Sequence, residues 1–305
     1  MIKTFGQLVE EVKSASTRRI AVAVAQDADV LEALQKAKES GLVQPILAGD
    51  KALIEKISSE QDIDIAGFEI VDVPDELEAV ETAVRFVREN RAEVLMKGLC
   101  STATLMKAVL KKENGLRFSG LLSHLALFEI SSYHKLILMS DAALNIFPTL
   151  EEKIEITRNA ISIAKRMEIQ QPKVAVIAAV EKVSPDKMPA TTDAAIIAKM
   201  GDRGQIKGAL IDGPLAVDNA FSEHSCRIKG IKSPVGGDAD IAIVPSIEAG
   251  NVFYKLLSYL AGAQTAGIIV GAKVPIVLTS RADSDETKFL SIATAARVCP
   301  TEGSD

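Results

Sequence analysis

Apolar runs of strand length alternate with helical patterns along most of the chain. The run RRIAVAVA near residue 20 predicts a buried strand, and the next segment predicts a helix with apolar positions at Val30, Leu31 and Leu34 and a stop at Gly41. Further strand–helix pairs follow, in order VQPILAGD with KALIEKIS, EIVDVP with DELEAVETAVRFVREN, and AEVLMKG with STATLMKAVLKK. This alternation is typical of right-handed crossovers and a mostly parallel sheet.

The middle of the chain departs from this rhythm. Two apolar runs, LLSHLALFEI and KLILMSDAA, are separated only by SSYH, which predicts neighbouring antiparallel strands. Thr149 and Glu152 have the spacing of a capping box, so a long helix is expected to begin there. We therefore predict a first α/β domain of residues 1–145 plus a C-terminal helix of about 284–305, and a second of residues 146–283.

The alternation resumes in the second half. The predicted strands are KVAVIAAV, GALIDGPLAV, DIAIVPS, GIIVGA and KVPIVLTS, and the predicted helices are TTDAAIIAKM, EAGNVFYKLLSYLAGA and SDETKFLSIATAARV. Chain ends often lie close together, so the last helix is expected to return to the first domain.

Composition narrows the class of protein. The 305 residues carry a net charge of −6 without a basic stripe, which argues against a nucleic-acid partner. Three cysteines without a CxxC pair argue against a disulfide framework or structural zinc site, and the three histidines lack ligand spacing. No apolar run reaches the ~18 residues that span a bilayer. We expect a cytoplasmic protein without a membrane segment.

Polar residues that follow the predicted strands are the candidates for chemistry, because ligands of parallel α/β sheets bind at the carboxyl ends of strands. Lys97 and Gly98 end one strand, and Ser101 and Thr102 begin the next helix. A lysine, hydroxyls and backbone N–H groups at a helix N-terminus form an anion site. The alternative is ordinary helix capping by Ser101 or Thr102.

Three later segments have the same position after a strand. One is VEKVSPDKMPATTDAA, which contains Ser184; in another, Asp212 and Gly213 close a predicted strand, with Asp218 six residues beyond Asp212. In the third, Asn251 follows Gly250 near the start of a helix and is a candidate for a hydrogen bond to phosphate or an amide. The alternative for the Ser184 segment is a structured loop that leads to a capped helix, and the alternative for Asp212 and Gly213 is a common DG turn. In the third segment, Tyr254 and the later apolar residues are expected to belong to the core.

The most suggestive segment is VPIVLTSRADSDETKF. A buried strand leads to Ser280 and Arg281, with Asp283 just beyond. Arg281 is suited to bidentate binding of phosphate, and Ser280 to donating a hydrogen bond. A salt bridge from Arg281 to Asp283 or Glu286 is the alternative. Neither GxGxxG after the first strand, nor a P-loop, nor HExxH or GxSxG motifs are present.

Taken in order, these segments resemble the phosphate acetyl/butyryltransferase family. The similarity covers nearly the whole chain and is strongest from about Val180 to Val298. It rests on IDGPLAVDNAF, then KSPVGGDADIAIVPSIEAGN, then YLAGAQTAGIIVGAKVPIVLTSRADS. The motifs KGLCST, EKVSP with KMPAT, and SRADS look closer to the phosphate butyryltransferase branch.

The resemblance implies a two-domain fold of the isocitrate/isopropylmalate dehydrogenase type, with the active site in the cleft between the domains, and a homo-oligomer. It implies the reaction acyl-CoA + phosphate ⇌ acyl phosphate + CoA by direct displacement in a ternary complex, with butyryl or acetyl as the acyl group. Coenzyme A is then a substrate, and neither a metal nor a permanently bound cofactor is expected.

The resemblance also assigns roles to residues. The family's Ser-Arg pair corresponds to Ser280 and Arg281, with Ser280 stabilising an oxyanion and Arg281 and Lys97 holding phosphate. The family's acetyltransferases have an aspartate a few residues later, proposed as the base. That position here is Thr287, so Asp283, Asp285 and Glu286 are the nearby candidates for a base.

Two alternatives remain open on sequence alone. The first is a metal- and NAD-dependent hydroxyacid dehydrogenase on a similar fold, with a metal held by Asp212, Asp218 and either Asp238 or Asp240. The second is a non-catalytic sensor of acyl-CoA or phosphate, which the altered base position would permit.

Overall fold

The computed structural model describes residues 1–116, 120–280 and 283–300. Its elements are, in chain order, α1 (Phe5–Lys13), β1 (Arg18–Ala23), α2 (Ala28–Glu39), β2 (Val43–Gly49), α3 (Lys51–Gln61), β3 (Glu69–Asp72), α4 (Glu76–Arg88), β4 (Val94–Lys97), α5 (Thr102–Val109), β5 (Ser123–Glu129), β6 (Ile137–Ser140), α6 (Leu150–Arg166), β7 (Lys173–Ile177), α7 (Pro189–Asp202), β8 (Leu210–Leu215), α8 (Val217–Phe221), α9 (Glu223–Lys229), β9 (Ile241–Ile243), α10 (Ile247–Lys255), a π-helical segment (Leu256–Leu260), β10 (Gln264–Val270), β11 (Ile276–Val277) and α11 (Asp285–Val298).

The chain forms two compact units. We call Phe5–Gly120 together with the chain from Ala266 onwards the outer unit, and Met1–Thr4 together with Leu121–Thr265 the central unit. The units change at 120/121 and 265/266, whereas the sequence placed the domain boundaries at 145/146 and near 284. Those boundaries stay a prediction about domains, while the units describe where internal contacts concentrate.

The outer unit contains strands in the order β3-β2-β1-β4-β11-β10. The first five are parallel to their neighbours, and β10 is antiparallel to β11. Strand β1 has a fully buried run from Ile20 to Ala23, as a central parallel strand requires. The predicted strand–helix alternation of this half is therefore confirmed.

Five helices of the outer unit, α2, α3, α4, α5 and α11, begin at side-chain caps. At α4, for example, the Asp75 carboxylate accepts a hydrogen bond from the Glu78 N–H. Helix α5 ends at Val109, earlier than the predicted end near residue 112. Helix α11 is buried on nearly all sides and contacts α1 and α2.

The central unit contains strands in the order β5-β6-β9-β7-β8. The pair β5 and β6 is antiparallel, as predicted from the two apolar runs, and the remaining pairs are parallel. The capping box that begins α6 is present, because the Thr149 hydroxyl accepts from Glu152 and the Glu152 carboxylate accepts from Thr149. The short helices α8 and α9 have no counterpart among the predicted elements.

Both units thus have the predicted α/β architecture, with mostly parallel strands and flanking helices. Among the helices of the described residues, none combines the length and apolar character needed to cross a membrane.

Candidate active site

The segment from Lys97, the last residue of β4, to Ser101 is fixed to the end of β1 by backbone hydrogen bonds. We call this segment the Lys97 loop. The Gly98 N–H donates to the Ala23 carbonyl at 2.9 Å, and the Leu99 N–H donates to the Val24 carbonyl at 2.7 Å. A Cβ on Gly98 would lie 2.7 Å from the Ala23 carbonyl oxygen and closer still to that of Val24. Only glycine permits this approach, so the loop position depends on Gly98.

Lys97 is buried at the start of this loop. Its Nζ donates to the carbonyls of Gly98 at 2.9 Å and Cys100 at 3.3 Å. The Lys97 ammonium therefore places a positive charge at this loop and fixes the loop through hydrogen bonds to two of its carbonyl groups. Burial raises the pKa of the Cys100 thiol despite the nearby Lys97 charge, which disfavours the thiolate form that a nucleophile requires.

Ser101 and Thr102 begin α5. The Ser101 hydroxyl accepts from the Thr104 N–H at 3.0 Å and lies 2.8 Å from the Thr104 hydroxyl. Ser101 is thus the N-cap of the helix, which was the alternative interpretation of this residue. Thr102 is the first helical residue, so the N-terminal N–H groups of α5 lie directly beside the Lys97 loop.

Ser280 and Asp283 close a turn that leaves the sheet beside the Lys97 loop. The Ser280 N–H donates to Oδ2 of Asp283 at 2.7 Å, and the Asp283 N–H donates to the Ser280 carbonyl at 3.2 Å. Because β11 and β4 are parallel neighbours, with Val277 opposite Met96, both segments leave the same edge of the sheet. Arg281 lies outside the described residues.

The buried side chain of Lys288 stabilises this turn. The sequence analysis did not identify this residue. Its side chain is 3% exposed, and its Nζ donates to the Asp283 carbonyl and lies 3.2 Å from the Asp29 carboxylate in the first turn of α2. No pattern in the sequence marked it, because Lys288 directly follows the polar residues Asp285–Thr287 at the start of α11, where an exposed lysine is expected. Thr287, at the position of the family's proposed base, donates its N–H to the Ser284 cap.

The central unit contains the other predicted residues, and each has a local partner. The Ser184 N–H donates to the Thr191 hydroxyl at 2.8 Å. The Asn251 Nδ2 donates to the Ala142 carbonyl at 3.3 Å. Asp212 accepts from the N–H of Gly213 at 2.8 Å. Asp212 and Gly213 do not close their strand as expected; they lie within it, because β8 continues to Leu215 alongside β7, as the predicted strand GALIDGPLAV allows.

A buried aspartate that sequence reasoning missed organises the end of β6. Asp141 accepts from the N–H groups of His124, Ala143 and Leu144 at 2.9 Å each, and from the Asn145 side chain at 2.6 Å. Four donors on one carboxylate satisfy its acceptor atoms and fix the turn that follows the strand.

Helix α10, which contains Asn251, packs directly on this turn. A Cβ on Gly250 would lie 2.5 Å from the Asp141 carbonyl oxygen, so the absence of a side chain at Gly250 allows the close approach. The position of Asn251 therefore depends on the Asp141 turn.

The four aspartates of the dehydrogenase alternative are not brought together. Asp240 precedes β9 and, with Asp238, pairs with Lys135 at 2.6 and 2.9 Å. Asp218 follows β8 and pairs with Lys229 at 2.9 Å, which lowers the Asp218 pKa. The amino ends and carboxyl ends of parallel strands lie at opposite edges of a sheet, so these residues are separated.

The described residues contain no group of three or more histidine, cysteine, aspartate or glutamate side chains placed to hold a metal ion. The metal site that the dehydrogenase alternative requires is therefore not formed by the aspartates it names.

Comparisons with known proteins all identify phosphate acyltransferases as the relatives of this chain. The sequence matches the family described as phosphate acetyl/butaryl transferase over residues 4–86 and 75–296. It is 48% identical to phosphate butyryltransferase of Clostridium acetobutylicum, over 98% of this chain and 99% of that protein. It is 43% identical to phosphate acetyltransferase of Thermotoga maritima, over 96% and 99% respectively.

A solved structure supports the same grouping. The crystal structure of a branched-chain phosphotransacylase from Enterococcus faecalis V583 matches with a TM-score of 0.83 and 34% identity, covering 92% of this chain and 99% of that one.

Proposed function

Because the chain belongs to the phosphate acetyl/butyryltransferase family, we propose that it transfers a short-chain acyl group between coenzyme A and inorganic phosphate through a ternary complex. That it is an enzyme of the phosphate acyltransferase class follows from the relatives and the structural neighbour. The proposal adds the mechanism and the residues that perform it.

One observation carries the assignment of residues. The Lys97 loop and the Ser280 turn leave the same edge of the sheet from parallel neighbours β4 and β11. Phosphate and acyl phosphate are anions, and this edge combines the Lys97 charge, the N-terminus of α5 and the hydroxyl of Ser280. We assign phosphate binding to this edge, with Arg281 as the second cation.

In the chemical step the coenzyme A thiolate attacks the carbonyl of the acyl phosphate, the new C–S bond forms, and the C–O bond to phosphate breaks so that inorganic phosphate leaves. In reverse, a phosphate oxygen attacks the thioester carbonyl and the coenzyme A thiolate leaves. Ser280 donates a hydrogen bond to the oxyanion that develops. Its backbone contact with the Asp283 carboxylate supports a positioning role for Asp283 rather than that of a base. The attacking thiol has an ordinary pKa of ~8.5, so a substantial thiolate fraction is available without a dedicated carboxylate at mildly alkaline pH.

The central unit contributes Ser184, Asp212 and Asn251 to substrate binding in this proposal. Coenzyme A and acyl-CoA, phosphate and acyl phosphate are the substrates, and no cofactor is permanently bound. We further propose a homo-oligomer in the cytoplasm, without nucleic-acid or membrane partners. The isocitrate/isopropylmalate dehydrogenase-like arrangement stays a prediction.

The test of the reaction is thiol release from acyl-CoA esters of increasing chain length, each with and without phosphate. Release that requires phosphate and is fastest with butyryl-CoA or acetyl-CoA is expected. Release that is independent of phosphate, or reduction of NAD with hydroxy acids as substrates, would contradict the proposal.

Ser280→Ala tests the residue assignment. Loss of one oxyanion donor is expected to lower kcat by ~10²-fold or more, with little change in stability. Ser222→Ala is the matched control, because Ser222 caps α9 in the other unit and its loss should affect stability alone. A decrease in kcat under about threefold for Ser280→Ala would remove Ser280 from the mechanism while leaving the phosphate-dependent reaction intact.

A further inference from the structure

One large apolar side chain is exposed within the Lys97 loop. Leu99 is 40% exposed, whereas its neighbours Gly98 and Cys100 are buried, so the Leu99 side chain leaves the loop towards solvent. Single exposed apolar residues are common on protein surfaces and need no explanation by themselves. Leu99 differs from them in its position, just after β4 at the edge assigned to phosphate, and in how firmly its backbone is held.

The peptide group between Gly98 and Leu99 is bound on both sides. Its carbonyl accepts a hydrogen bond from the Lys97 Nζ at 2.9 Å, and its N–H donates to the Val24 carbonyl at 2.7 Å. The carbonyl of Cys100, the next residue, accepts from the same ammonium at 3.3 Å. The backbone of Leu99 is therefore fixed, and the direction of its side chain is limited to a few rotamers.

The residue that accepts the Leu99 N–H has an unusual backbone conformation. Val24 has a φ of +60°, which is unfavourable for a β-branched residue because its Cβ crowds the backbone. It follows β1 directly and is 3% exposed. Residues held in such conformations cluster at active sites and ligand clamps, where the surrounding structure compensates for the strain. The conformation of Val24 therefore supports a functional position for the loop that contains Leu99.

The substrates of the proposed reaction require an apolar surface beside an anion site. An acyl phosphate and an acyl-CoA both carry a short hydrocarbon chain on the carbonyl that reacts, and phosphate joins or leaves at the same carbon. Neighbouring strands lie about 4.8 Å apart, so the Lys97 loop after β4 and the Ser280 turn after β11 leave the sheet side by side. Leu99 is exposed at this same edge, two residues beyond the Lys97 charge.

We propose that Leu99 contacts the acyl chain of the substrate and sets the preference for butyryl over acetyl groups. This inference rests on the proposed function, because it assigns the acyl chain to the edge at which Ser280 contacts the reacting carbonyl. The leucine side chain covers the two methylene groups that butyryl has and acetyl lacks. One methylene group in an apolar pocket changes selectivity by about 10–200-fold, so the loss of one wall of such a pocket is measurable.

The test compares kcat/KM for thiol release from butyryl-CoA and from acetyl-CoA at saturating phosphate, in the wild type and in Leu99→Ala. The ratio of the butyryl-CoA value to the acetyl-CoA value is expected to fall about tenfold, because alanine leaves the longer chain in contact with water. Leu99→Met retains an apolar side chain of similar volume and should keep the ratio within about threefold of the wild type. Because the Leu99 side chain is exposed, neither substitution should lower Tm by more than about 2 °C.

Leu110→Ala is the matched control. Leu110 is 43% exposed, close to the value for Leu99, but it is the C-cap residue of α5, at the far end of the helix that follows the Lys97 loop. Its substitution should leave the ratio of the two esters unchanged. A ratio for Leu99→Ala within about twofold of the wild type would overturn the proposal. An equal loss of activity with both esters would overturn it too, since Leu99 would then only position the loop.

Failure of the proposed reaction and failure of the Leu99 assignment give different results. A wild type without phosphate-dependent thiol release from either ester would overturn the reaction and, with it, the role of Leu99. A wild type whose thiol release requires phosphate, together with a ratio that Leu99→Ala does not change, would retain the reaction and exclude Leu99 from the selection of the acyl chain.

Discussion

Removal of the Lys288 ammonium should loosen the turn closed by Ser280 and Asp283. Lys288→Met retains the apolar stem and much of the volume, so the packing of α11 is largely conserved. It removes the cation that donates to the Asp283 carbonyl and pairs with Asp29. The two lost interactions have different expected strengths, and a matched variant separates them.

The expected loss of unfolding free energy in Lys288→Met depends on how far each lost interaction is shielded from solvent. A hydrogen bond from a charged group to a buried carbonyl contributes about 1.5–3 kcal/mol. The ion pair contributes at most about 1 kcal/mol, because the Asp29 side chain is 55% exposed and solvent screens it. We expect a loss of about 2–3 kcal/mol, which lowers Tm by roughly 5–10 °C in a unit of this size.

The effect on activity should exceed the effect on substrate affinity. In the proposed mechanism a displaced turn misplaces the Ser280 hydroxyl relative to the reacting carbonyl, and small misplacements of this kind reduce the rate strongly. We expect kcat to fall about tenfold or more while the KM for acyl-CoA stays within about twofold. Thermal unfolding and thiol-release kinetics of Lys288→Met measure the two effects.

Asp29→Asn supplies the matched control, since it removes the exposed partner and keeps the buried cation. It should lower Tm by less than about 3 °C and leave kcat nearly unchanged. An Asp29→Asn protein as impaired as Lys288→Met would contradict this prediction. The ion pair with Asp29, and not the hydrogen bond to the Asp283 carbonyl, would then stabilise the turn. An unchanged Tm in Lys288→Met would refute it as well.

Three further predictions test other contacts. Gly98→Ala should destabilise the protein by about 1–3 kcal/mol and abolish most activity, since its Cβ meets the backbone at the end of β1. Gly204→Ala, whose Cβ meets open space but whose φ of +69° strains an alanine, should cost about 1 kcal/mol of stability and retain activity in the same assay. Arg281→Ala should raise the KM for phosphate and lower kcat without a loss of Tm; an unchanged phosphate dependence would show that Arg281 is only a salt-bridge partner. Burial opposes ionisation of Asp238, but hydrogen bonds from Lys173 and Lys135 outweigh it and lower its pKa from 3.8 to about 2. Its stabilising contribution is therefore complete above pH ~4 and lost as pH falls towards ~2, so urea unfolding of Asp238→Asn should show a weaker acid dependence over that window than the wild type.

The residues proposed for the site divide into those with a proposed chemical role and those whose hydrogen bonds support a positioning role. Ser280 and the charge of Lys97 lie at the same sheet edge, as the sequence predicted for strand ends. Ser101 caps α5, and the Asp283 carboxylate accepts from the Ser280 N–H, so we propose that both act by positioning their segments. The sequence alone could not separate a helix-capping serine from a ligand-binding serine, because either one can stand directly before a helix.

Local patterns in the sequence determined the elements of this protein and the order in which they occur. Strand and helix periods depend on residues two to four positions apart, and caps such as Asp75 and the Thr149 box depend on residues three apart. The motifs after strands carried the family resemblance for the same reason, since each is a continuous segment.

Only the tertiary structure decided which distant side chains become partners. Lys288 meets Asp29 across 259 residues of sequence, and Asp141 gathers the N–H of His124 from a neighbouring strand. The close approach of Gly250 to the Asp141 carbonyl likewise depends on the packing of segments that are distant in sequence. Burial and pairing are properties of the packed chain, and a residue's neighbours in sequence do not specify them.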